Sequence, residues 1–137
     1  MNYIYLAAIL FVFSCAGKTK KDYLIIKSLE KASWNWQKKG CSGNTFSFTF
    51  SDSLQTFTIE YETAIKQSGS DIVSRTFVYD IVNIKRKEIF ASLRTESRTN
   101  RFGQPVLWYI KLLDEKTFTW VRSDTKSVYG PIIRCDQ

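Results

Sequence analysis

The sequence contains no histidine. Its absence removes Ser-His-Asp and Cys-His catalysis, imidazole metal ligation and the side chain best suited to shuttling protons near neutral pH. Glycine is limited to six residues and proline to two, and no glycine-rich phosphate loop occurs. No apolar run reaches the ~20 residues a membrane-spanning helix needs. There is no Asn-x-Ser/Thr sequon to mark a glycosylated secretory protein. Carboxylates are sparse where chemistry would want them. Glu60 and Glu62 sit two apart on the polar face of one strand pattern, where solvent is their expected partner, and Glu96 and Asp80 stand alone. Paired carboxylates at a suitable separation can hydrolyse glycosides, but nothing here sets up such a pair. The expectation is a chain with no catalytic residues, no metal site and no cofactor.

What is present begins with residues 3–16, which carry no charge and are mostly Ile, Leu, Ala, Phe and Val. That length suits the apolar segment of an export signal, although the terminal amine is the only positive charge before it. A core helix is the competing reading. With no polar face it would need burial on every side, and 137 residues supply little interior. The pattern Val12-Phe13-Ser14-Cys15 resembles the lipobox of bacterial lipoproteins: an aliphatic residue, a variable one, a small one, then cysteine. The resemblance implies cleavage before Cys15 and palmitate-type acyl chains on its sulfur and new amino group. Stable anchoring needs more than one chain. Ordinary secretion, with Ser14-Cys15-Ala16 as the cleavage site, is the alternative. Residues 1–14 are then a signal peptide, 15–22 a tether and 23–137 the folded domain. The expected location is the bacterial cell envelope, at the outer membrane, or the exterior if the chain is secreted.

Lipidation or loss of Cys15 leaves Cys41 and Cys135 as an even pair in an oxidising compartment, and a disulfide between them is expected. No thiolate then remains for zinc. The net charge of +7 lies wholly beyond the apolar segment and favours anionic surroundings; export argues against nucleic acid as a partner. Lys18, Lys20 and Lys21 in the tether could meet anionic headgroups or simply be solvated.

Residues 22–32, DYLIIKSLEKA, place Ile25, Ile26, Leu29 and Ala32 at helical spacing, with Asp22 as the candidate cap. From residue 33 the period becomes two. Trp34 and Trp36 alternate with polar neighbours. Phe46, Phe48 and Phe50 share one face, as do Phe57, Ile59 and Tyr61, with Ser51-Asp52-Ser53 as a tight turn between the two runs. Further strands are expected at 74–84, 88–96, 105–113, 117–123 and 131–135, with Gly69, Gly103 and Gly130 in loops. No connection after residue 33 has room for a crossover helix, so neighbours should be antiparallel. Eight such strands close most simply into an up-and-down barrel, with a two-sheet sandwich as competitor. Closure pairs the first strand with the last, which brings Cys41 and Cys135 toward one seam.

A short helix, then a strand with an inward tryptophan, then a meander of strands resembles the lipocalin-like proteins over about residues 23–135. That family's Gly-x-Trp stands here as Ala32-Ser33-Trp34. The resemblance implies an arginine from a late strand packed over Trp34, for which Arg134 and Arg122 are available. Phe48, Phe57, Tyr61, Tyr79, Trp108 and Trp120 could line a site for a small apolar ligand, or the same rings could fill a barrel only just wide enough to be filled. Residues 84–101 hold six basic side chains (Lys85, Arg86, Lys87, Arg94, Arg98, Arg101) against Glu88 and Glu96. They read as a solvated surface or as a protein-docking edge. Two roles are thus expected for a noncatalytic, membrane-anchored lipoprotein. One is binding of a small apolar ligand; the other is interaction with an envelope protein as inhibitor, immunity factor or assembly accessory.

Overall fold

Eight strands follow one another round a closed barrel, each antiparallel to the next, and the last pairs back onto the first. They are β1 (Ser33–Trp36), β2 (Phe46–Phe50), β3 (Thr56–Ala64), β4 (Ile72–Ile84), β5 (Glu88–Leu93), β6 (Leu107–Asp114), β7 (Thr117–Arg122) and β8 (Val128–Cys135), preceded by one helix, α1 (Leu24–Glu30). This computed structural model describes residues 17–36, 41, 45–64 and 72–135, and of residues 62–64 and 72–74 the backbone alone. The barrel is the up-and-down form rather than the sandwich, because every strand pairs with its neighbour in sequence.

The period-two pattern does what it should. In β2 the three phenylalanines are buried while Ser47 and Thr49 are not. Register carries this across the sheet: Phe48 lies opposite Ile59, and Phe57 opposite Tyr79. Each buried side chain of this size contributes roughly 1.5–3 kcal/mol through area removed from water.

The alternating strand directions define two ends. At one end, here the base, lie the hairpins 51–55, 85–87 and 115–116, and α1 covers it. Ile25, Ile26 and Leu29 on one face of α1 are fully buried in the core. Polar contacts fix the helix in place. Ile25 N–H donates to Arg86 O at 3.3 Å, Trp34 Nε1 donates to Leu29 O at 3.1 Å, and Phe50 N–H donates to Glu30 Oε1 at 2.9 Å. Lys20 also bonds Glu30 at 2.9 Å and lies 3.6 Å from Asp52, which brings the chain before α1 to the base.

Asp22 does not cap α1. It sits in a single helical turn, Lys20–Asp22, and its carboxylate accepts the backbone N–H of Thr19 at 2.6 Å; Tyr23 is the residue at the helix start. The β2–β3 connection is longer than the expected tight turn. Ser51 Oγ accepts the N–H groups of Gln55 and Thr56 at 3.2 and 3.1 Å, and Leu54 turns the chain at φ 56°. Gly130 lies inside β8, not in a loop. Its φ of +121° suits a residue without a side chain, and a Cβ there would come within 3.1 Å of Ile132 N. The β7–β8 register slips between Phe118 and Trp120, beside this glycine. The strand therefore bends through Gly130 and starts at Val128. Other strand ends move by a few residues: β4 begins at Ile72, β5 stops at Leu93 and β6 begins at Leu107.

Cys41 and Cys135 form a disulfide, with Cα atoms 5.4 Å apart. Cys135 pairs in register with Ser33, the first residue of β1, so the bridge reinforces the β1–β8 seam at its base end.

Candidate functional site

At the opposite end, the rim, no helix covers the barrel among the described residues. Trp36 ends β1 there, Leu93 ends β5, and Phe46, Trp108 and Tyr129 stand at or near the starts of β2, β6 and β8. With Tyr61, Tyr79, Trp120, Arg98 and Ile132 they wall a cavity of about 270 Å³. A dry cavity of ~150 Å³ accommodates benzene, so this volume suits a body of one or two rings.

The rim cavity exists because the barrel is filled unevenly along its axis. Trp34 and Phe118 pack edge to face at 4.9 Å, and Phe118 meets Phe46 and Phe48 at 6.4 and 5.7 Å. Together with α1 they leave the base half solid. Toward the rim the contacts thin to a ring of aromatic side chains: Phe46–Tyr61 at 5.1 Å, Tyr79–Trp120 at 5.5 Å, and Trp108 against both Trp120 and Tyr129.

One ion pair borders this ring. Glu96, in the loop after β5, has a side chain only 3 % exposed. Arg98 grips it from two sides, Nε to Oε1 at 2.7 Å and Nη2 to Oε2 at 3.0 Å, and the Arg98 backbone N–H adds a third bond at 3.1 Å. Trp108 Nε1 donates to Glu96 Oε2 at 3.0 Å, and the Arg98 guanidinium lies over the Trp108 ring at 5.0 Å. The Arg98 donors, helped by the Trp108 indole, overcome burial and hold the Glu96 carboxyl down to about 2. Burial pushes the Tyr61 phenol up. It pushes Tyr79 up further, with the neighbouring charges of Tyr61 and Glu96 adding to the effect and Arg98 opposing it.

Of the six side chains that the sequence offered as ligand contacts, Tyr61, Tyr79, Trp108 and Trp120 line the cavity. Phe48 and Phe57 face inward but lie deeper, packed in the core, where Phe57 stacks on Tyr79 at 4.8 Å. Alternation reveals which residues point in; it does not reveal their depth. Arg134 lies directly opposite Trp34 in the β1–β8 register, while Arg122 pairs with Asp124 at 2.7 Å. Glu96 and Asp80 are not isolated. Asp80 takes a bidentate bond from Arg94, and the Arg98 partnership of Glu96 has its only sequence signal in the Glu-x-Arg spacing. Lys85–Lys87 lie at the base and Arg98–Arg101 at the rim, so the basic segment forms no single patch. Glu60 is exposed. Residues 1–14, Val12–Cys15 with the lipidation position Cys15, and Gly69 lie outside the described residues.

Among the described residues, no group of His, Cys, Asp or Glu could hold a metal ion, and no helix is long and apolar enough to cross a membrane. Beside the rim, a shallow groove runs between residues 99–107 and 122–125, with Phe102 71 % exposed at its edge and Arg101 over the Phe102 ring at 4.7 Å. Comparison with protein-family models, with curated proteins and with solved structures returned no match.

Proposed function

We propose that this protein is a noncatalytic binding module, a lipocalin-like barrel held at the bacterial cell envelope through lipid on Cys15, that takes a small apolar ligand at its rim. The observation that carries the reading is the rim cavity: an aromatic-walled space at one end of a barrel whose other end is closed by α1. Small-molecule sites are typically concave and apolar, with a few placed polar groups, and Arg98, Tyr61 and Tyr79 supply those. The anchor rests on Val12–Cys15 and the uncharged run before it. The noncatalytic part rests on the lack of histidine and on Glu96. A carboxylate held near 2 and already bonded to Arg98 and Trp108 is too weak a base for acid–base chemistry at neutral pH.

Native mass spectrometry of the protein extracted from its own membranes tests all of this together. Acylated Cys15 with a retained small molecule is the expected result. An unmodified chain that still carries residues 1–14 would remove the anchor, and a ligand-free protein that also refuses apolar probes would remove the binding role.

Phe102 favours a second reading, in which the rim groove docks an envelope protein. A large ring so exposed beside a groove is the usual form of a contact residue. Retained partner protein in the same extract, lost on Phe102→Ser, would identify it.

A further inference from the structure

The polar groups that face the cavity are unequal in kind, and that inequality selects a ligand. Among the described residues the carboxylate beside the cavity is Glu96, and it is spent: both oxygens are bonded and the side chain is almost fully buried. Among the described residues the other polar groups of the lining are the Arg98 guanidinium, the phenols of Tyr61, Tyr79 and Tyr129, and the indoles of Trp36 and Trp120, and none of them is a base. Arg98 uses Nε and Nη2 on Glu96, which leaves Nη1, a group that can donate and never accept. Its side chain is 52 % exposed, so that edge is reachable. Tyr61 and Tyr79 line the same space, and among the described residues neither phenol is hydrogen-bonded. The three groups line the one cavity. Burial keeps both phenols protonated, hence able to donate.

We propose that the rim cavity takes a molecule with a one- or two-ring or short-chain apolar body and a compact anionic head, the head received by Arg98 Nη1 and the phenols of Tyr61 and Tyr79. The aromatic walls alone would suit a cation as well. Arg98 decides against that, since a cationic head would meet the guanidinium directly. A neutral apolar ligand would leave the donors in this pocket unanswered, and unpaired donors weaken binding. Glu96 is a positioning residue here: its two-point grip holds the Arg98 guanidinium over the Trp108 ring, on the lining of the cavity.

This inference rests on the binding role proposed above, and one experiment separates the two. Titration of the purified protein, followed by tryptophan fluorescence, would compare naphthalene-2-sulfonate with naphthalene, which has the same two-ring body without the anion. The sulfonate should bind at least about tenfold more tightly, the gain expected of charge-assisted hydrogen bonds. Tyr61→Phe/Tyr79→Phe, which preserves shape, should erase most of that preference. Glu96→Gln/Arg98→Gln, which strands no buried charge, should erase it too while naphthalene binding stays. Near-UV circular dichroism would confirm that each variant is folded. Equal affinity for the two probes, or a preference that survives both double variants, overturns the anionic head and leaves the binding module standing. Failure of both probes to bind overturns the two together.

Discussion

Glu96 and Trp108 are joined across twelve residues of chain by a 3.0 Å bond from the indole Nε1 to Oε2, and Arg98 closes over the pair from outside. The loop between β5 and β6 is therefore held to the rim by a buried carboxylate. Two consequences concern this arrangement or the core beneath it, and two more concern β8.

Acid should loosen the protein through Glu96. Its carboxyl titrates near 2 when folded against an ordinary 4.5, so the unfolded chain binds its proton first. The contribution is fully present above about 4.5 and is lost as pH falls toward 2. The full shift corresponds to about 3 kcal/mol, which solvent around the half-exposed Arg98 brings nearer about 2. Urea midpoints at pH 6 and pH 2.5 should fall further for the wild type than for Glu96→Gln. Equal losses would show that the carboxylate is not held in this way.

Phe57 and Tyr61 should behave oppositely although both point inward from β3. Phe57→Ala removes a ring packed against Phe48, Phe50 and Tyr79 and should cost about 3–5 kcal/mol. Tyr61→Phe removes only a phenol at the cavity and should stay within about 0.5 kcal/mol of wild type. Thermal or urea unfolding of the two variants measures this directly.

Removing the disulfide should destabilise without changing the fold. The bridge closes 94 residues, for which chain entropy gives about 4–5 kcal/mol. Cys41→Ser/Cys135→Ser should lose that much in urea, and reduction of the wild type by dithiothreitol should match it. Insensitivity to dithiothreitol would mean that the thiols are not bonded in solution.

Gly130→Ala should be costly for a single methyl. The backbone there has φ +121° and Ile132 N would be 3.1 Å from the new Cβ, so about 1–3 kcal/mol is expected. Gly103→Ala is the comparison, with φ +76° but nothing within 4 Å, and should cost less. A reversed order would contradict the β8 geometry.

The barrel was legible in the sequence because its cause is local. Phe46–Phe50 and Phe57–Tyr61 alternate without interruption, short connections force antiparallel neighbours, and the spacing of the cysteines suits a seam. Depth was not legible. Phe48 and Tyr61 follow the same alternation, yet one is core and the other cavity wall, because register and the α1 plug decide what lies above each ring. The grouping at Glu96 was hidden for a related reason. Its partners are two and twelve residues away on a loop and on the next strand, and only the fold of residues 94–108 makes them neighbours. Gly130 read as a loop because a glycine before a proline usually punctuates; the bent strand that needs it is set by the register of β7.

Helix α1 closes the base of the described barrel. With Ile25, Ile26 and Leu29 corking the floor, the binding role proposed above would have a guest enter and depart by the same doorway, so that such a vessel would store or hand over its contents and not conduct them. Residues 17–23 reach the barrel at that floor, so a leash at Cys15, as proposed, would put the doorway on the far side.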